Sequence, residues 1–413
     1  MERSLVDAPV VSPARNESYW RLFRRFLRFG LLAWGGPVAQ LAMIRHELVE
    51  VEQWITPARF NRVMAVYQAL PGPEAHEMCV YFGTVARGRI GGLLAGLGFM
   101  LPGFVLMMLF SWFYVTFGIG SPIFAAIFAG AQPAVAALIV RAVQRIGAGA
   151  LRDDRWLWAI AVSATAAQLL GINFLVTLGA AGVVYALAHR GHRLAAAAVS
   201  AAFLAYMAAV GYWAWVDGVL ANQLSAADPA QGASNSATML ELLGTGLLTG
   251  LLTFGGAYTA IPFLQHYAVE LGGWLTNAQF LDGIALAGIL PAPLIIFGTF
   301  VGFLAGGALG GIAMTVGIFA PAFAFTLIGH EFLERLVDNE ATHALLDGIT
   351  AGVVGLVAGT ALVILSLTVT SLEAWVIFAA ALLVLARSKA RLTVAYVVLG
   401  AMAASLLRFL LLG

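Results

Sequence analysis

The residues that could do chemistry in this chain are glycine–proline clusters with a few ionisable neighbours. Gly35-Gly36-Pro37 interrupts one apolar segment. Pro71-Gly72-Pro73 interrupts the next, within Gln68-Ala69-Leu70-Pro71-Gly72-Pro73-Glu74-Ala75-His76-Glu77. Proline removes a backbone donor and glycine is conformationally permissive, so each cluster breaks a helix. A helix that restarts after a break points unpaired N–H groups and the positive end of its dipole at whatever precedes it. Pro37 and Pro73 suit the first helical position. The half-helices they would start, with the amides of Gly35, Gly36 and Gly72, form a cradle for a compact oxyanion. Alternatively, these residues only permit kinks and close packing, which is common in membrane spans.

Glu74 falls on the first turn of the second half-helix, where the dipole favours a carboxylate. Ionisable groups at membrane depth are costly and are functional candidates by default. Glu74, with His76 nearby, is therefore a candidate gate or proton carrier; a capping carboxylate is the bland alternative. Arg45 could supply charge to an anion, but an interfacial arginine more often snorkels. His189 and His192 sit with arginines at a turn, and Glu331, Glu334, Asp338, Glu340 and Asp347 read as a solvated loop. No HExxH, CxxC, GxSxG or P-loop pattern occurs, so neither an enzyme nor an ATP-driven pump is expected. Cys79 is the single cysteine, which excludes an internal disulfide, a Cys-based zinc site and an iron–sulfur cluster. No metal or cofactor is expected.

The elements that must position these residues are membrane helices. Hydrophobic residues make up 61% of the 413 and charged residues 10%, with a mean hydropathy of +0.90. A soluble domain carries about 25% charge, so the chain is read as an all-α polytopic membrane protein. A net charge of +1 argues against nucleic acid. The polar first eighteen residues give no sign of a cleavable signal peptide. A helix needs about 20 residues to cross the hydrocarbon. Thirteen apolar segments are candidates: 20–44, 60–83, 90–117, 121–143, 156–171, 173–189, 194–218, 240–265, 279–300, 308–330, 344–368, 372–387 and 391–412. The polar stretch 221–238 reads as a linker.

The cations orient the chain. With a cytoplasmic N-terminus, Arg87/Arg89, Arg141/Arg145/Arg152/Arg155, Arg190/Arg193 and Arg387/Lys389/Arg391 join the six N-terminal arginines on the inner side. Arg45, Arg59 and Arg62 then fall in an outer loop. If the first two segments are re-entrant hairpins instead, that loop returns to the cytoplasm and every later span keeps its side. Both arrangements satisfy the pattern.

The chain also repeats itself. Gly35-Gly36 recurs as Gly255-Gly256, His46 as His266, Glu50 as Glu270, and Trp54-Ile55-Thr56 as Trp274-Leu275-Thr276, all at an offset of 220. Phe60 matches Phe280, and Pro71-Gly72-Pro73 matches Pro291-Ala292-Pro293 at the same offset. Gly91-Gly92 and Pro102 match Gly310-Gly311 and Pro321 at 219. Such constancy over special residues marks a duplication. The expected division is a polar tail (1–19), a first repeat (20–190), a connecting segment with the linker (191–238), and a second repeat (239–413). An odd connector inverts the second repeat, the architecture of secondary transporters with a site at the repeat interface. The candidate substrate-binding set is thus Gly35, Gly36, Pro37, Gln68, Pro71, Gly72 and Pro73, with Gly255, Gly256, Pro291 and Pro293 from the second repeat. Glu74 is replaced there by Leu294, and Gln68 by Gly288, so the halves are not chemically equal.

The set Phe29-Gly30-x4-Gly35-Gly36-Pro37, Trp54, Phe60, Gln68-x2-Pro71-Gly72-Pro73-Glu74-Ala75 and Tyr81-x-Gly83 resembles the chromate ion transporter family. Phe254-Gly255-Gly256 and Pro291-Ala292-Pro293-Leu294 resemble that family's second repeat, except that Ala292 stands where the family usually has glycine. The resemblance covers about residues 20–410 and places the chain among the long, two-repeat members. It implies export of chromate across the inner (plasma) membrane, with sulfate as the close structural analogue. The partners expected are chromate or sulfate, membrane lipid and a second copy of the chain in a homodimer. A sulfate or other oxyanion transporter is the nearest alternative; a membrane scaffold or sensor is the alternative from another class.

Overall fold

Ser18 opens the first helix by accepting the Arg21 N–H on its hydroxyl at 3.3 Å. That helix, α1 (Tyr19–Leu31), buries Leu22, Phe26, Phe29 and Gly30, a spacing of three to four residues that lines one face. At about 1.5 Å per residue its 13 residues rise roughly 20 Å, short of the ~30 Å hydrocarbon core. The chain breaks at Gly35, restarts as α2 (Gly36–Arg45) and continues through a π-helical turn, His46–Val51. The computed structural model describes residues 17–69, 71–118, 120–216, 236–254, 256–329, 340–388 and 390–412.

The two limbs of this segment fold back on each other. Arg25 of α1 reaches Glu47 at 3.3 Å and Glu52 at 2.5 Å beyond the end of α2, and Arg28 also pairs with Glu47. The Arg25 guanidinium lies over the Trp54 ring, whose Nε1–H donates to Glu52 at 2.8 Å. The second segment does the same. Helix α3 (Pro57–Ala69) descends to the Pro71-Gly72-Pro73 break, and the first limb of α4 (Glu74–Phe113) returns. Phe60 stacks near Phe82, and Arg59 donates to the Tyr81 hydroxyl at 2.9 Å. Both segments are therefore hairpins. Arg45 lies over the Phe60 ring and Arg59 meets Tyr81, so both stay with the hairpins, a course that fits the re-entrant arrangement of the two segments.

At Arg87–Gly88 the chain turns sharply and α4 runs back as a long second limb. The corner uses φ/ψ of −144/29 at Arg87 and 63/−160 at Gly88. A left-handed φ of this kind favours glycine. The Arg87 guanidinium donates to the Glu17 carbonyl at 2.5 Å, tying the corner to the start of α1. From there α5 (Pro122–Ala150), α6 (Arg155–Leu169), α7 (Phe174–His189) and α8 (Arg193–Val216) follow.

Beyond residue 236 several local features of α1–α4 recur. Thr238 caps α9 (Met239–Leu251), and a break with a 3₁₀ turn leads into α10 (Ala260–Gln265). A π-helical turn, His266–Leu271, recurs where the first half has His46–Val51. Helix α11 (Asn277–Gly288) approaches the Pro291–Pro293 break, and α12 (Phe297–Ile328) departs from it. The corner in α12 has φ/ψ of −149/22 at Gly306 and 64/−159 at Gly307, nearly the values at Arg87–Gly88. Trp54 N–H bonds to the Leu48 carbonyl, and Trp274 N–H to that of Ala268, each at 2.8 Å. The final elements are α13 (Glu340–Thr368), α14 (Leu372–Arg387) and α15 (Thr393–Leu412). Asp347 lies within α13, paired with His343 at 3.6 Å, rather than in a solvated loop.

Among the described residues, six helical stretches are long and apolar enough to cross a membrane: Glu74–Gly118, Pro122–Ala150, Arg193–Trp213, Leu294–Ile328, His343–Thr368 and Thr393–Leu411. The remaining apolar segments become shorter helices, several of them hairpin limbs. The long second limbs of α4 and α12 pack on each other through small residues: Gly92 faces Leu327, Gly96 faces Phe323, and Gly311 faces Met108. As one number rises the other falls, so these equivalent helices run antiparallel.

Candidate functional site

The four breaks lie where the two halves meet. At Gly35 and Gly36 two consecutive residues take left-handed φ, 88° and 77°. Pro37 then sits in the first turn of α2, as its fixed φ favours. Gly35 abuts the backbone of Arg391, so the turn between α14 and α15 closes on this break. Beyond its chain neighbours and the adjoining backbone of α2, nothing lies within 4 Å of where a β-carbon on Gly36 would sit. Gln40, almost fully buried, donates from its amide to the Ala33 carbonyl at 2.8 Å, while its Oε1 has no partner.

At the second break the Gly72 N–H donates to the Thr253 carbonyl at 2.7 Å. This bond joins a break of the first half directly to one of the second. Pro73 is the N-cap of α4 rather than its first residue, and Glu74 takes that place. Glu74 is buried, with Gln68 in hydrogen-bonding contact across the break. His76 is fully buried between Phe319 and Phe323 of α12, with ring centroids 4.9 and 4.7 Å away. It faces the partner repeat rather than the glycine, and neither ring nitrogen makes a hydrogen bond of normal geometry.

At the third break, Gly255 lies outside the described residues. Gly256 has φ 119° and, its chain neighbours aside, nothing within 4 Å of a β-carbon position. Its carbonyl accepts from the Thr259 hydroxyl at 2.7 Å. The half-helix here begins as a 3₁₀ turn, Ala257–Thr259, and the fourth break is followed by another, Leu294–Ile296. These two turns are in contact. Ala292, flanked by Pro291 and Pro293, packs against Gly103 of α4. The Pro291–Pro293 break thus rests on the long helix of the first half, and the Pro71–Pro73 break is tied to Thr253 of the second.

Chemically, the arrangement offers two glycines, Gly36 and Gly256, with free space before them, and helix starts behind them. It also offers one polar half-site, Gln68 with Glu74, that the second half lacks. Glu77 was passed over in the sequence. It is fully buried, its carboxyl packs against Gly72 Cα, and neither oxygen has a hydrogen-bond partner. Its position three residues after Glu74 puts both on one face of a helix, which is the signal that could have found it. Arg391 reads in sequence as a topological cation, yet its backbone closes the first break. His46 and His266 each pair with the glutamate four residues on, at 3.1 and 2.7 Å, away from the breaks.

The chromate transporter family matches residues 20–222 and 240–406. A chromate transport protein of Pseudomonas aeruginosa is 52% identical over 96% of this chain and 94% of its own length. One from Cupriavidus metallidurans is 29% identical over 83% of this chain and 82% of its own. A probable chromate transport protein of Synechococcus elongatus is 27% identical over 83% of this chain and 84% of its own. No solved structure matches the chain. The protein is a multi-pass membrane protein, and its bacterial relatives are consistent with the inner membrane. Its relatives point to a transporter rather than an enzyme. With a family match across nearly its whole length and a relative identical at half its positions, the chain belongs to the chromate transporter family.

Proposed function

We propose that the protein is a secondary transporter that exports chromate, with the four breaks forming the anion site between two inverted repeats. The observation that carries this is the Gly72 N–H···Thr253 bond, which brings interrupted backbone from the two halves together. Such backbone is tolerated at membrane depth only inside protein or around a water-filled cavity. The antiparallel course of α4 and α12 supports the inversion. The names of the relatives support chromate as substrate. Sulfate, another tetrahedral dianion, fits the same cradle and is the second reading for the substrate.

The energetics favour export. A cell interior is electrically negative, and moving two charges through about 100 mV releases roughly 4.6 kcal/mol. At about 1.4 kcal/mol per tenfold, that sustains a gradient on the order of 10³ without ATP. In this account the site residues are Gly35, Gly36, Pro37, Gln68, Pro71, Gly72 and Pro73, with Gly255, Gly256, Pro291 and Pro293. Glu74 gates the site or carries a proton, while His76, buried between Phe319 and Phe323, is the second candidate for that role. Uptake of labelled chromate and sulfate into everted vesicles, with potential and pH gradient imposed separately, tests the proposal. Accumulation that follows neither gradient would contradict it.

A further inference from the structure

Away from the breaks, a second polar constellation crosses the repeat boundary. Asp282, in the middle of α11, is only 5% exposed. The Tyr114 hydroxyl, at the end of α4, donates to Asp282 Oδ2 at 2.8 Å. The Gln132 amide, on α5, donates to Oδ1 at 3.4 Å. All three line a cavity of about 390 Å³ that extends to Gly120, Ser121 and Pro122 at the turn before α5. Elements α4, α5, α12 and α15 pack against α11. Among the described residues, no arginine, lysine or histidine on them pairs with Asp282, and Tyr114 is the titratable group that meets it.

The fold itself does not require a carboxylate here. At the offset of 220 the first half carries Arg62, the opposite charge. A cavity lined by a buried carboxylate repels a dianion and suits a small cation. The donor set is too poor for a metal ion, which takes six or more oxygens when hard and oxygen-bound. It does suit a proton. The ionised carboxylate is held by two neutral donors. When Oδ1 gains a proton from cavity water, the Gln132 amide can rotate so that its carbonyl oxygen accepts the new O–H, while Tyr114 still donates to Oδ2. Both charge states are then hydrogen-bonded, which a buried group that only braces the fold does not need.

We propose that Asp282, with Tyr114 and Gln132, is a proton-binding site that couples anion movement to protons entering through the cavity at Gly120, Ser121 and Pro122. The inference rests on the transporter reading above. Geometry offers a route for the coupling. Helix α11 carries Asp282 and leads to the Pro291–Pro293 break, while α4 begins at the Pro71–Pro73 break and ends at Tyr114. A change at this link therefore acts on elements attached to two of the four breaks.

The test uses the purified full-length protein in proteoliposomes, with labelled chromate, potential clamped near zero and a pH gradient imposed. The wild type should be stimulated several-fold by the gradient. In Asp282→Asn the ratio with and without gradient should fall to about one, while Asp282→Glu should keep part of the stimulation. Treatment of the wild type with dicyclohexylcarbodiimide, which attacks protonated carboxyl groups in apolar surroundings, should give an adduct on Asp282 by peptide mapping, less of it as pH rises. Wild-type stimulation in folded Asp282→Asn overturns the proposal, as does the absence of an adduct on Asp282. A wild type that carries chromate with no response to the pH gradient also overturns it and leaves the transporter reading intact. A wild type that carries no oxyanion under any gradient refutes the transporter reading, and the carbodiimide adduct still decides whether Asp282 takes a proton.

Discussion

Gly36 offers the sharpest separation of backbone strain from site occupancy. Its φ of 77° lies in the left-handed region, and beyond its chain neighbours and the adjoining backbone of α2 nothing stands within 4 Å of a β-carbon placed on it. Any L side chain there costs about 1–2 kcal/mol from the backbone alone. Gly36→Ala should lose that much stability and no more, because the methyl meets nothing. Gly36→Leu has the same backbone cost, so the two variants should show similar abundance and similar losses in a detergent thermal-shift assay. They should differ in transport. Leucine fills the space before the N-terminus of α2, where a bound anion would sit. Export in everted vesicles should fall at least tenfold in Gly36→Leu and less than threefold in Gly36→Ala, each normalised to protein present. A tenfold loss is about 1.4 kcal/mol, a modest demand on a site whose ligand is excluded. If both variants export equally well, the space before Gly36 does not hold the anion.

Gly256→Leu should impair export for the same reason, since Gly256 has φ 119° and equally open surroundings; transport equal to Gly256→Ala would remove the third break from the site. Trp54→Ala should destabilise the protein by about 3–5 kcal/mol, because Trp54 is 1% exposed, lies under Arg25 and meets Phe82 edge-on at 6.2 Å. A thermal shift no larger than that of an exposed tryptophan variant such as Trp158→Ala would contradict the two-hairpin packing. Glu74→Gln should flatten the dependence of export on cytoplasmic pH, because a neutral side chain no longer repels an arriving dianion when the pH rises. An unchanged profile assigns Glu74 to capping. Cysteines introduced at Glu47 and Arg87, in a Cys79→Ala background, should be labelled by an impermeant maleimide from one and the same side, with position 228 labelled from the other. Opposite sides for 47 and 87 would mean that the first segments span.

Much of this architecture is legible in the sequence because it depends on residue types that cannot be exchanged. The corners at Gly88 and Gly307 and the breaks at Gly35, Gly36 and Gly256 all use left-handed φ, and offsets of 219 and 220 between equivalent positions reveal the duplication. Apolar length identifies the membrane helices for the same reason. Hydropathy cannot separate a 13-residue limb folded back on another from one span of the same total length, so the hairpins were ambiguous. What shows the fold-back is the set of ion pairs from Arg25 and Arg28 to Glu47 and Glu52, contacts between residues 19 to 27 apart with no sequence signature. Pro73 caps α4 instead of opening it because Glu74 N1 already follows the extended backbone of the PxP turn. The site shows the same division. Glu74 stood out beside its break, whereas Asp282 was hidden as a lone carboxylate in an apolar helix whose partners, Tyr114 and Gln132, are 168 and 150 residues away.

The central claim is that this chain alone moves chromate outward along the membrane potential. The direct measurement uses the purified protein in liposomes loaded with labelled chromate, with an interior-negative potassium diffusion potential imposed by valinomycin. The account predicts chromate efflux that accelerates with the imposed potential, is slowed by competing sulfate and is lost in Gly36→Leu. Efflux no faster than from protein-free liposomes, or unchanged when the potential is reversed, would contradict it.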